Sequence, residues 1–94
     1  MPDLVWSEIA ARNLDDIAEY IAQDNPEAAE RIVMRIVERV SGLAFHPLQG
    51  RPGRVEDTRE LPIHGTSYIA IYRVRERVEV LRIRHTAQRW PETS

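Results

Sequence analysis

The chain of 94 residues has no cysteine. Disulfide scaffolds, thiolate metal sites and a cysteine nucleophile are therefore excluded, in keeping with a reducing compartment. Lysine is also missing. All thirteen basic residues are arginine, which genome base composition explains as readily as selection for forked, planar donors. Apolar runs are short, and none approaches the roughly 20 residues of a membrane-crossing helix. The opening MPDLVWSE lacks the basic-then-apolar layout of a secretion signal, so the expected location is the cytoplasm, with no membrane partner. The three histidines, His46, His64 and His85, are too spread to form a metal site. Neither a metal nor a cofactor is expected.

Charge is unevenly placed. The formal net charge is -2, yet residues 1–50 hold four arginines against nine acids and residues 51–94 hold nine against six. The first half is therefore at -5 and the second at +3. A basic C-terminal half suggests a working surface there.

The stretch from Arg59 to His85 organises the rest. Leu61 to Ile63, Tyr68 to Val74 and Val78 to Ile83 are β-favouring runs separated by His64-Gly65-Thr66 and Arg75-Glu76-Arg77, the pattern of an antiparallel meander with short hairpins. Strict alternation puts Ile69 and Ile71 on one face and Tyr68, Ala70, Tyr72 and Val74 on the other. Both faces are apolar and ask for a cover. Alternation in the last run groups Val78 and Val80 with Arg82 and Arg84, and Leu81, Ile83 and His85 together opposite.

Upstream, Asp3 to Trp6 is a short extended run, with Ser7 as a helix cap. Ala10, Leu14, Ile17, Ala18 and Ile21 then form one helical stripe, giving a helix from about Ser7 to Gln23. Asn25-Pro26 starts a second helix at once, carrying Ala29, Ile32, Val33, Ile36, Val37, Val40, Leu43 and Ala44 on its apolar face. Two helices so closely joined lie antiparallel. Residues 46–57, HPLQGRPGRVED, read as a loop with fixed turns. Arg51 and Arg54 in it either meet an anion or anchor the loop to Glu56 or Asp57. The fold class is α+β in a single domain over residues 1–94: an N-terminal strand, an antiparallel α-hairpin and a three-stranded antiparallel meander, in the order β-α-α-β-β-β.

The stretches VWSEIAARNLDDIAEYIAQDNPEAA, GRPGRVEDTREL, YIAIYRV and VLRIRHTAQRWP, in that order and at those intervals, resemble the ParE branch of the ParE/RelE superfamily of bacterial type II toxin-antitoxin systems. The resemblance covers nearly the whole chain. It implies a toxin of the kind linked to plasmid stabilisation, neutralised by a ParD-like antitoxin of ribbon-helix-helix type within a higher-order hetero-oligomer. ParE-like toxins inhibit DNA gyrase without nuclease chemistry of their own, whereas RelE-like toxins cleave messenger RNA on the ribosome.

Each class makes a demand on the residues. RNA cleavage needs a base, an acid and a phosphate clamp within hydrogen-bond reach; His85 with Arg59, Arg82 and Arg84 would be the set. Against it, Ile69 stands where the RelE-type strand is expected to carry arginine, and no tyrosine follows Tyr72. Gyrase inhibition therefore ranks first, the RNA-cleaving toxin second, and a non-toxic antitoxin-binding module third. Candidate target contacts are Arg51, Arg54, Arg59, Arg82, Arg84, His85, Arg89 and Trp90. Candidate antitoxin contacts are Ile69, Ile71, Leu81 and Ile83, expected to be left over once the helices cover one face. His85 has a simpler alternative as a strand-end residue bonded to backbone or to Glu60, and Trp90 as a side chain packed back on the helices.

Overall fold

Capping chemistry fixes where the helices begin. In a computed structural model of the chain, which describes residues 3–87, strand β1 (Leu4–Trp6) leads into helix α1 (Glu8–Ala22) through Ser7. The Ser7 hydroxyl accepts from the Ala10 amide at 2.9 Å, satisfying an otherwise orphaned donor. Asn25 does the same for Ala28 at 3.0 Å, and Pro26 opens α2 (Pro26–Ser41). A 3-10 turn (Gly42–Ala44) ends the hairpin.

The sheet has five strands in the order β1-β5-β4-β3-β2. Strands β3 (Arg59–Pro62), β4 (Tyr68–Val74) and β5 (Val78–His85) form the expected antiparallel meander. At the β3–β4 turn Gly65 takes φ +83, a left-handed conformation that costs glycine little. Two features go beyond the sequence expectation. Strand β1 joins the edge parallel to β5, making the sheet mixed. A two-residue strand β2 (Arg51–Pro52) pairs with β3 inside the segment expected to be loop.

The largest correction concerns β5. Ile71 stands opposite Arg82 but Tyr72 stands opposite Val80, so Leu81 is an extra residue in a β-bulge. Alternation restarts there. Val78 and Val80 consequently share a face with Ile83 and His85, and Arg82 and Arg84 lie opposite them, contrary to the simple two-residue period.

Helix α1 supports the bulge. The Ser7 hydroxyl donates to the Leu81 carbonyl at 2.9 Å, and Asn13 Oδ1 accepts from the Ile83 amide at 3.1 Å. Strand β1 pairs with β5 only from Val78 to Val80, so beyond it side chains of and before α1 supply the edge partners that a strand would.

The core lies between the helices and the sheet face that carries Ala70 and Tyr72. Ala10, Ile17, Ile36, Val40 and Leu43 meet Leu61, Ile63, Ala70, Tyr72, Val78, Val80 and Ile83 there. Burying Val78 and Val80 alone contributes about 3–6 kcal/mol, at roughly 1.5–3 kcal/mol for each side chain. That is a large share of the 5–15 kcal/mol or so that holds a typical domain folded.

Deleting Leu81 removes the extra residue and leaves Val78, Val80 and Ile83 in one phase with Arg82 and Arg84 opposite, so the variant should still fold, destabilised by about 1–3 kcal/mol through loss of the bulge contact with Ser7. Circular dichroism and urea titration of the deletion variant check this. Leu81→Ala keeps the extra residue and should retain a cooperative transition.

Candidate functional site

The sheet face turned from the helices is ordered by strand register. Arg51, Glu60, Ile71 and Arg82 form one row across four strands, and Pro62, Ile69 and Arg84 form the next. Arg73 and Glu79 make a third row and are joined by a salt bridge. Neighbours opposite one another on a sheet face are about 4.5–5.5 Å apart at Cβ. Arginines from β2 and β5 therefore flank an apolar floor of Ile69 and Ile71.

That floor is closed. Ile69 is 5% exposed and Ile71 fully buried, while Ile83 belongs to the core beneath the helices. The positions expected to stay uncovered are thus corrected: Ile69 and Ile71 are enclosed between charged rows, Ile83 packs under the helices, and Leu81 is a half-buried bulge residue. Glu60, also buried, accepts from the Arg54 backbone amide at 3.1 Å and from the Arg51 guanidinium at 3.5 Å. The acid anchoring this loop is therefore Glu60. Asp57 pairs instead with Arg75 at 3.2 Å. The hydrogen bond from Arg73 is the main cause holding the Glu79 carboxyl below the ordinary range.

Arg59 serves another purpose than clamping an anion. Its guanidinium donates to the Leu48 and Gly50 carbonyls. Beside it the buried Tyr72 hydroxyl accepts from the Gly50 amide at 2.8 Å and donates to the Pro47 carbonyl at 2.8 Å. A Cβ on residue 50 would come within 2.6 Å of that hydroxyl, which explains the glycine. Burial raises the Tyr72 phenol above its ordinary value, against the opposing effects of the Gly50 bond and of Arg59. The pinned segment presents Phe45 and Leu48, each 65% exposed.

His85 is on the other side of the sheet from Arg82 and Arg84. Its ring meets Tyr68 edge-on at 5.3 Å between centroids, and its Nδ1 accepts from the Ala87 amide at 3.0 Å, the backbone partner among the two expected for a strand-end histidine. His85 and Tyr68 line an open cleft of about 420 Å³, with Ile83 from β5 and Asn13, Asp16, Ile17 and Tyr20 from α1. Burial, and secondarily the neighbouring Tyr20, push the Tyr68 phenol upward. Asn13, Asp16 and Tyr20 went unnoticed in the sequence although they recur at i, i+3 and i+7, one helical stripe. Arg89 and Trp90 lie outside the described residues. Among the described residues no group of histidines and acids is placed to hold a metal, and no helix is long and apolar enough to cross a membrane.

Of the predicted site residues, the structure brings Arg51, Arg82 and Arg84 to one face, with Arg54 beside them through its amide bond to Glu60. It places His85 on the opposite face and turns the Arg59 guanidinium into the loop. An arginine-edged face of this kind suits contact with anions or acidic surfaces.

Two helices on one face of a five-stranded mixed sheet are the architecture of the ParE/RelE superfamily of type II toxin-antitoxin toxins. The fold matches a chain in the chromosomal ParDE toxin-antitoxin system from P. aeruginosa with a TM-score of 0.81 and 34% identity, covering 90% of this chain and 96% of that one. It also matches the toxin-antitoxin complex RelBE2 from Mycobacterium tuberculosis, with a TM-score of 0.67 and 29% identity over 90% and 99% of the two chains. Residues 4–90 match the family described as ParE toxin of type II toxin-antitoxin system, parDE, and the chain belongs to that family. Among curated relatives, Y4kP, a candidate toxin of Sinorhizobium fredii, is 46% identical over 87 residues, covering 93% of this chain and 91% of Y4kP. Toxin RelE2 of Caulobacter vibrioides is 34% identical over 88 residues, or 94% and 99%.

Tyr72→Phe should destabilise the fold by about 1–3 kcal/mol, the usual cost of stranding buried polar partners, here the Gly50 amide and Pro47 carbonyl. Urea denaturation measures the loss. Because the folded-state pKa of Tyr72 is raised, its contribution should be complete below about pH 10 and fall as pH rises through the folded value. Stability measured against pH should show that decline in the wild type and a smaller one in Tyr72→Phe, where the raised Tyr68 phenol still contributes.

Proposed function

We propose that the chain is a toxin that inhibits DNA gyrase and is held inactive by a ParD-like antitoxin of ribbon-helix-helix type in a hetero-oligomer. The observation that carries this over nuclease action is the division of the candidate residues between faces. In-line cleavage of RNA needs a base and a phosphate clamp on the same reacting group. Here His85 lies opposite Arg82 and Arg84 across the sheet, and the Arg59 guanidinium is committed to the Leu48 and Gly50 carbonyls. A face that binds without performing chemistry needs neither a base nor convergence. The match to the ParE toxin family and to the ParDE chain supports the same choice, and supports an antitoxin partner.

With Ile69, Ile71 and Ile83 buried, antitoxin contact falls to apolar side chains that remain open on the helices: Ile9 and Tyr20 on α1, Met34 and Val37 on α2. Arg51, Arg54 and Arg82 are the target contacts among the described residues. Arg84, almost fully buried beside Ile69, helps to place them.

The second reading is ribosome-dependent cleavage of messenger RNA, favoured by the likeness to RelE2 and RelBE2. Purified chain should inhibit gyrase supercoiling in vitro and leave ribosome-bound messenger intact. Arrested translation with supercoiling untouched reverses the order. Arg82→Ala should weaken inhibition about three- to tenfold, with a similar graded loss in Arg51→Ala, as expected of binding contacts worth about 1 kcal/mol each.

A further inference from the structure

The cleft between α1 and the end of the sheet is independent of the arginine face, and its chemistry is of opposite character. Asp16 is among its lining residues, and no arginine among the described residues lines it. Asp15 and Glu19 flank Asp16 on α1, within the half of the chain that carries the net negative charge. Ile17 and Ile83 form apolar walls, and Tyr20 and Tyr68 provide aromatic rings. Tyr20 is 72% exposed, an unusual position for so large an aromatic side chain on a folded helix.

A methylene stem between apolar walls, with a planar cation at an aromatic face and beside a carboxylate, is the environment that an arginine side chain best satisfies. A carboxylate or phosphate would meet Asp16 as a like charge. Ile9 lies on the same helical stripe, one turn before Asn13, and is 47% exposed. Exposed apolar surface therefore continues along α1 from the cleft to Ile9.

We propose that this cleft is the docking site for a basic side chain, arginine before lysine, of the antitoxin. The inference rests on the toxin-antitoxin reading above. It assigns Asp16 and Tyr20 as the residues that hold the cation, Ile17 and Ile83 as those that hold its stem, and Ile9 as a contact for the flanking apolar residues.

The test is a double-mutant cycle between the full-length chain and the product of the adjacent reading frame, with affinity measured by calorimetry. Asp16→Asn is on an exposed position and should leave the circular dichroism and melting of the chain unchanged. Each basic residue of the partner's C-terminal half is changed to methionine in turn, which keeps the stem and removes the charge. Asp16→Asn should weaken binding about three- to tenfold, and one methionine variant should lose the same factor without adding to it. If the wild-type complex forms but Asp16→Asn has no effect, or every pair is additive, the cleft assignment is overturned while the toxin-antitoxin reading stands. Self-association of the chain alone that Asp16→Asn abolishes also overturns it, in favour of a second copy. If no wild-type complex forms, the toxin-antitoxin reading fails. Nuclear magnetic resonance titration then decides for the cleft by itself. Shifts at Tyr20 and His85 with N-acetyl-arginine amide, absent with N-acetyl-norleucine amide, support a cation site, and equal shifts with both overturn it.

Discussion

The bulge that absorbs Leu81 in β5 is the constraint on which both surfaces depend. Without Leu81 as a bulge, a strand of eight residues could place Val78 and Val80, or Ile83, against the helices, but not all three. With it, three apolar residues enter the core and Arg82 and Arg84 emerge together on the other face. A bulge leaves backbone groups without a ladder partner, and those left unmet in a partly buried setting would cost about 1–3 kcal/mol each. Ser7 and Asn13 take the Leu81 carbonyl and the Ile83 amide, so the same contacts that cap and seat α1 also stabilise the irregularity in the strand.

The second organising element is a polar one inside the core. Tyr72 sits under the segment that follows the helices and, through one hydroxyl, satisfies a donor and an acceptor of its backbone. Arg59 reinforces this from the next strand. Residues 46–50 therefore behave as part of the scaffold, and Phe45 and Leu48 are exposed from a fixed base. Glu60 plays the equivalent part for residues 51–54, which is why a buried carboxylate is tolerated: a backbone amide and a guanidinium meet it. The arginine face is consequently built on preorganised backbone, an advantage for binding because little ordering remains to be done on contact.

Much of the fold was legible in the sequence, because it is written in local signals: Ser7 and Asn25 before amphipathic stripes, Pro26 at a helix start, Gly65 in a turn, and three β-rich runs at hairpin spacing. The parallel placement of β1 was not, since three residues carry too little pattern to specify a partner 74 residues away. The bulge was hidden for a different reason. Alternation in VEVLRIRH reads smoothly under either phase, and only the tertiary demand that Val78, Val80 and Ile83 all be buried breaks it. The candidate site suffered in consequence. Arg51 and Arg82 reach the far face as charge of the basic half, but Arg84 is nearly buried beside Ile69 and the loop carbonyls claim the Arg59 guanidinium. Charge counting in the sequence reveals neither. Ile69 and Ile71 were judged exposed from face parity alone, and parity says nothing of long neighbours such as Arg82 and Arg84 that can lie over a small apolar floor.

The two surfaces lie on opposite sides of a sheet whose helix side is acidic and whose far side is basic. A partner anchored by its cations in the α1 cleft leaves the arginine face electrostatically unchanged beyond a Debye length of roughly 8 Å at physiological salt. Anchoring alone would therefore not silence the toxin. On the proposed reading, neutralisation calls for the same polypeptide to continue round an edge of the sheet and cover Arg51 and Arg82, and both edge strands are short: β1 has three residues and β2 two. Passing from one face of a sheet to the other covers roughly the 10 Å of a layer spacing, so about three or four extended residues of antitoxin at about 3.3 Å each suffice. Short edges also offer little ladder for unwanted strand pairing. Covering the arginine face from the α1 side therefore asks for a short linking segment, and the short edge strands give that segment little ladder to pair with.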